Sequence, residues 1–153
     1  MQKSKIVALF SALIFIIVFA AGCGDNGSVI ARVNGEKILQ SDLDDKISQI
    51  KLGLTSQGYT FGDEEQDKEI MGQIEEEAMN QLINEALVMQ QAKELGVSVD
   101  DSAVQEQLQQ FKKQYGAKVF QQLLKQQQLT EAKLAKQIKI QMTGQALFNK
   151  VTE

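Results

Sequence analysis

The stretch from Ile70 to Gly96, IMGQIEEEAMNQLINEALVMQQAKELG, decides the fold. Ile70, Ile74, Ala78, Leu82, Ala86 and Met89 recur every three or four residues and draw one apolar stripe, which Met79, Ile83 and Leu87 widen. That spacing is the period of a helix with one buried face. Just upstream, Asp63, Glu64, Glu65, Asp67 and Glu69 place negative charge where a helix N-terminus favours it. Gly96 is a C-terminal stop. The reading is a long helix from about Glu64 to Leu95.

Toward the N-terminus, a loop from Ser56 to Gly62 carries two aromatics, Tyr59 and Phe61. Before it, Leu43, Ile47, Ile50 and Leu54 follow at helical intervals, and Ser41 with Asp44 has the spacing of a capping box. Earlier still, Val29-Ile30-Ala31-Arg32-Val33 and Glu36-Lys37-Ile38-Leu39 flank Asn34-Gly35, the strongest short hairpin signal. Toward the C-terminus, Asp100 is placed to cap a third helix, with Val99 and Val104 as a hydrophobic staple. Its buried face is read as Val104, Leu108, Phe111 and Tyr115, ending at Gly116. A short fourth helix carries Val119, Phe120, Leu123 and Leu124. Thr130 caps a fifth, where Leu129 and Leu134 again have staple spacing and Leu134, Ile138, Met142 and Leu147 give the apolar line. Start and stop signals agree with the periodicity throughout, as in a well-specified fold. The fold class is all-α: a five-helix bundle with a short N-terminal β-hairpin.

The first residues have the order of a signal peptide. Lys3 and Lys5 are basic, Ile6 to Ala21 is an apolar run of about 16 residues, and Ala20-Ala21-Gly22 are small residues before Cys23. The run is shorter than the roughly 20 residues a membrane-crossing helix needs. The small-small-Gly-Cys ending resembles the bacterial lipobox, with Ala20 where the family prefers Leu. The resemblance implies cleavage before Cys23 and attachment of a diacylglycerol to its sulfur; two acyl chains hold a protein stably on a bilayer where one does not. An uncleaved anchor, or a plain signal peptide with a free cysteine, are the alternatives. The domain reading is therefore a leader over residues 1–22, a lipidated Cys23 with a flexible tether to residue 28, and one module over residues 29–153.

Composition narrows the chemistry. Cys23 is the only cysteine, so no disulfide supports the fold and its core must do so alone. Without Lys3 and Lys5 the formal charge becomes −6, from 14 basic and 20 acidic residues, which argues against nucleic acid. Gln makes up roughly one residue in seven, and its runs, Gln105 to Gln110 and Gln121 to Gln128, are broken at helical spacing into polar faces. Histidine is absent, which removes the commonest general base and transition-metal ligand. Asp42, Asp44 and Asp45 lack the glycine and closing glutamate of a calcium loop. No strained turn marks a Ser–Lys pair. The chain is not read as an enzyme, and no metal or cofactor is expected.

Val33-Asn34-Gly35-Glu36-Lys37-Ile38 followed by Ser41-Asp42-Leu43, then Leu82-Ile83-Asn84-Glu85-Ala86-Leu87, then Gln91-Ala92-Lys93-Glu94-Leu95-Gly96-Val97-Ser98-Val99-Asp100, and finally Gln126-Gln127-Gln128-Leu129-Thr130-Glu131, stand in one order and at one spacing. Together they resemble the SurA-like N-terminal domains, from Val29 to about Lys150. The resemblance implies a chaperone module that binds unfolded or extended polypeptide outside the cytoplasm. Many members, the PrsA foldases among them, continue into a parvulin-type peptidyl-prolyl isomerase domain. This sequence stops at Val151-Thr152-Glu153, where such a domain would be joined, so a chaperone-only lipoprotein and a truncated isomerase both fit, as does a non-catalytic docking or assembly lipoprotein. The expected partners are unfolded client polypeptides and a membrane reached through the lipid; the resemblance names no oligomeric state. Candidate client contacts are Tyr59, Phe61, Met79, Phe111, Tyr115, Phe120 and Met142. Met is flexible and polarisable and suits varied peptides, although Met79 and Met142 also serve as ordinary core, as do Phe111 and Tyr115. Tyr59 and Phe61, in a loop, are harder to assign to packing.

Overall fold

The computed structural model describes residues 27–62 and 64–152. The leader over residues 1–22, Cys23, the start of the tether, Asp63 and Glu153 lie outside the described residues, as do the side chains of Glu64 and Gln66. Two strands, β1 (Val29–Val33) and β2 (Glu36–Leu39), are followed by α1 (Gln40–Ser56), α2 (Glu64–Glu94), α3 (Asp101–Tyr115), α4 (Ala117–Gln126) and α5 (Glu131–Thr152).

The strands form an antiparallel hairpin in which Val33 pairs with Glu36 and Arg32 with Lys37. Asn34 at φ 50° and Gly35 at φ 90° supply the two positive φ angles a tight type I′ turn requires. A bulge at Ile30, between the Val29–Leu39 and Ala31–Ile38 pairs, bends the ribbon as it runs into α1. Ile38 and Leu39, adjacent in sequence, are both buried there. The turn is tied to α2 by Gln90: its amide nitrogen donates to the Val33 carbonyl at 2.8 Å, and its oxygen accepts from the Asn34 amide at 2.8 Å.

The capping box expected at Ser41 does not form. Helix α1 begins one residue earlier, straight out of β2, with Leu39 in extended conformation at the N-cap and no side-chain cap. The Gln40 N–H donates to the Ser28 carbonyl in the chain beside it, so one of the unpaired donors of the first turn is bonded by the hairpin backbone. The C-termini follow the sequence signals more closely. At the end of α2 the Val97 N–H donates to Ala92 and the Gly96 N–H to Lys93, a Schellman closure with Gly96 at φ 67°. Gly58 closes α1 the same way, and Gln128 closes α4.

Helices α1 and α2 run antiparallel, joined across by an ion pair of 2.6 Å between Lys46 and Glu85. Helix α5 packs on both α2 and α3. Its Lys133 and Lys136 reach Asp45 and Asp42 on α1, and its Lys139 reaches Asp101 at the start of α3. Buried apolar side chains fall into two groups. Ile38, Leu39, Ile74, Ala78 and Ala92 lie on the hairpin and α2. Val104, Leu108, Phe120, Leu124 and Ile138 form a cluster between α3, α4 and α5. The residues of both expected staples belong to this region, since Val104 is in the cluster and Val99, Leu129 and Leu134 pack against it. Thr130 caps α5 as read, its hydroxyl accepting from the Lys133 N–H at 3.1 Å. Among the described residues no helix is long and apolar enough to cross a membrane.

Candidate functional site

The cluster between α3, α4 and α5 is not completely closed. Helix α4 has only ten residues, and its buried contribution is Phe120 and Leu124. The space left beside them is an open groove of about 350 Å³ between α3, α4 and α5. Its walls are Phe111 and Tyr115 from α3, Phe120, Leu123 and Leu124 from α4, and Leu129 and Leu134 at the start of α5, with Gln127 and Gln137 as the amides. A second opening of about 320 Å³ shares Phe111 and continues along α3 and α5 past Ile138 and Met142, edged by Gln107, Gln141 and Gln145. The crevices around α1, α2 and the hairpin differ in kind. They mix apolar side chains such as Leu82, Met89 and Ile140 with charged pairs such as Lys136 with Asp42, or with polar groups such as Asn34, Gln90 and Ser98.

The groove brings together three of the seven candidate contacts, Phe111, Tyr115 and Phe120, and Met142 lines the second opening that shares Phe111. Tyr115, read from the sequence as core, stands 44 % exposed at the groove edge. It is the last residue of α3, and the chain turns away at Gly116 before another element can cover it. Phe120 is buried and forms the floor. Met79 lies half-buried on α2, away from the groove. Tyr59 and Phe61 are also elsewhere, and packing does account for them. Their rings meet edge to face at 4.7 Å, and the Lys51 ammonium sits 4.6 Å over Phe61. The Tyr59 hydroxyl donates to Asp67 at 3.2 Å, and the Gly62 N–H donates to the same carboxylate. One member of the acidic run therefore fastens the loop to α2, besides lying in its first turns.

Charged and polar side chains meet next to Phe120. Lys112 donates to Glu131 at 2.6 Å, Gln121 donates to the other oxygen at 2.9 Å, and the Lys112 ammonium lies 5.5 Å from the Phe120 ring centre. The hydrogen bond from Lys112 is the main reason the Glu131 carboxyl is held below its ordinary value. This three-residue clasp joins α3, α4 and the N-terminus of α5. The sequence reading missed it, together with Leu123, Leu129 and Leu134 as groove walls. The second staple, Leu129 with Leu134, was the available signal, because it fixes where α5 enters relative to α4.

The groove is an open apolar space between amphipathic helices, in an all-α fold with a small N-terminal hairpin. Among the described residues no three carboxylates or thiols gather as a metal site would require. The sequence matches the SurA-like N-terminal domain over residues 1–148, and the chain belongs to that family. It is 30% identical to a foldase protein PrsA of Caldanaerobacter subterraneus subsp. tengcongensis, an alignment covering 92% of this chain and 49% of that protein. It is 31% identical to a foldase protein PrsA of Clostridium botulinum (strain Okra), covering 99% of this chain and 50% of that one. The chain thus spans about half the length of these curated relatives. No solved structure matches. The family is one of chaperones and foldases.

Proposed function

We propose that this chain is a membrane-anchored extracytoplasmic chaperone that holds unfolded or newly exported polypeptides. The observation that carries the reading is the α3–α5 groove in a member of this family: apolar walls, a half-exposed aromatic at its edge and neutral amides along it. Apolar walls take side chains that an unfolded chain exposes, and glutamine amides both donate and accept, which suits a peptide main chain. Phe111, Tyr115, Phe120 and Met142 are the client contacts of this proposal, with Tyr59, Phe61 and Met79 as secondary apolar surface. Binding of this type needs no cofactor. The leader over residues 1–22, the lipid on Cys23 and the tether to residue 28 place the module over residues 29–153 beside the membrane where exported chains emerge.

The test is suppression of aggregation of a reduced, unfolded model protein by the chain from Gly24 onward, with its helicity verified by circular dichroism. Suppression is expected at low molar excess, and Tyr115→Asp raises the amount required by roughly five-fold, the size of one well-placed contact. A folded protein that fails to suppress at several-fold excess sinks the reading. In cells, Cys23→Ala shifts the protein out of the membrane fraction; unchanged membrane association removes the lipid anchor from the proposal.

A second reading is favoured by one observation, the two-fold greater length of relatives named foldases. In it, this module presents clients to a prolyl isomerase segment of the same product. The coding sequence downstream of the codon for Glu153 decides between them.

A further inference from the structure

Away from the α3–α5 groove, an opening of about 750 Å³ lies where the hairpin turn, α2, α5 and the chain joining α2 to α3 come together. It falls within the roughly 300–1,000 Å³ of ligand sites. Asn34 and Glu36 of the hairpin, Thr143 of α5, and Val97, Ser98 and Val99 of the connecting chain are among its walls. Two features set it apart. The connecting chain over residues 97–100 has the pattern of a strand without a partner strand. Burial alternates along it, Val97 and Val99 half-buried and Ser98 and Asp100 exposed, which is the two-residue period of extended chain. Asp100 has φ −68° and ψ 143°. The Val97 N–H is used in closing α2, but among the described residues neither Ser98 nor Val99 makes a main-chain hydrogen bond in either direction.

Thr143 is the second feature. It is 2 % exposed and the one buried polar side chain among the described residues. The hydroxyls of Ser48 and Thr152 donate back to the carbonyl four residues earlier, whereas the Thr143 hydroxyl has no partner among the described residues. No fully enclosed side-chain nitrogen or oxygen is left unbonded there, so this hydroxyl reaches open space, and the opening that Thr143 lines is this one. A nearly buried hydroxyl without a partner costs free energy that an arriving hydrogen-bonding group recovers.

We infer that residues 97–100 are an edge to which an extended polypeptide adds as a strand, with the Thr143 hydroxyl bonding to it inside the opening. The inference rests on the chain holding unfolded polypeptide, but it places a contact outside the α3–α5 groove. Neighbouring residues of an extended chain turn their main-chain groups to opposite edges, so an antiparallel incoming strand exchanges two bonds with either Ser98 or Val99. The hydroxyl both donates and accepts and supplies a third. Strand addition takes its affinity from the main chain, which every unfolded polypeptide offers whatever its side chains. An apolar ligand with no main chain leaves all these groups unbonded, which favours polypeptide as the occupant.

The experiment uses the isotope-labelled chain from Gly24 onward, its helicity verified, and a peptide of about eight residues rich in valine and threonine, the length of an ordinary strand. A second version of the peptide has the main-chain nitrogens of its central residues methylated. Amide shifts and solvent exchange are read residue by residue by nuclear magnetic resonance. With the unmodified peptide at about ten times its Kd, about one-tenth of the protein is free, so exchange at the Ser98 or the Val99 amide slows about ten-fold. The methylated peptide binds at least about five-fold more weakly, the loss expected for two main-chain bonds. Thr143→Val keeps the shape of the side chain and the helicity, and weakens binding of the unmodified peptide about two- to five-fold. Binding with unchanged exchange at both amides overturns the inference, and so does equal affinity for the two peptides or an unaltered Kd in Thr143→Val. If Tyr115 and Leu123 respond and Ser98 and Val99 do not, the groove is the client site and this inference falls while the chaperone reading stands. If Ser98 or Val99 responds and the groove does not, the inference stands and the groove loses its role. A folded protein that binds neither peptide ends both readings.

Discussion

Gln128 holds φ 53°, a left-handed conformation that a side chain with a β-carbon adopts at a cost. It does so because α4 must stop after ten residues for Leu129 to reach the cluster, and the closing bonds from Leu129 to Leu124 and from Gln128 to Lys125 require that angle. The two other helices closed in this way use Gly58 and Gly96 at the same position. Gln128→Gly relieves the strain and gives back part of the gain as unfolded-chain entropy, for a net stabilisation of about 0.5–1 kcal/mol. Chemical denaturation of the two proteins checks this; a destabilised variant would mean that the glutamine side chain contributes more than the angle costs. Residue-scale features divide cleanly in how legible they were. The Asn34-Gly35 turn and the Thr130 cap could be read directly because they depend on neighbours in sequence. The failed cap at Ser41 could not, because the Gln40 N–H was satisfied by Ser28, on the far side of the hairpin.

At the scale of elements, α3, α4 and α5 meet at the Lys112–Glu131–Gln121 clasp. Glu131 has its folded pKa depressed, chiefly by the Lys112 hydrogen bond. A carboxylate with a lowered folded pKa contributes stability that is fully present above its unfolded value, near 4.3 for glutamate, and is lost as pH falls through the folded value. Thermal midpoints measured from pH 6 downward should therefore show a loss beginning near pH 4–4.5, and Glu131→Gln should reduce that part of the slope. Parallel profiles for the two proteins would remove Glu131 from the account. The group is exposed, so the contribution is small and weakens with added salt. The existence and order of these helices was legible from periodicity, but the clasp depends on their relative rotation. Nothing in the spacing of Lys112, Gln121 and Glu131 requires all three to face one point.

For the whole molecule, the two groups of buried side chains give two regions joined by α5, which packs on both α2 and α3. Among the described residues no large side chain is completely sealed from solvent, so the cluster under the groove has little to spare. Phe120→Leu removes aromatic volume from its centre at a cost of about 1–1.5 kcal/mol. Native-state hydrogen exchange should then speed up in α3 and α4 more than in α1, because local openings draw on local packing. A uniform increase across all five helices would mean a single cooperative unit. The same layout explains why only part of the candidate site could be foreseen. Phe111, Tyr115, Phe120 and Met142 come from three helices and converge only once α5 has crossed α3. Tyr59 and Phe61 carry the same residue chemistry, but they close on each other and on Lys51.

Local information was sufficient for the five helices, the hairpin, most of their ends and the family, because turns, caps and amphipathic period are set by residues a few positions apart. The tertiary structure alone decided that the cluster between α3, α4 and α5 is left open on one side and that Tyr115 stands at its edge. Those facts depend on how far helices distant in sequence approach one another, and side-chain volume and ion pairing across α1, α3 and α5 set that distance.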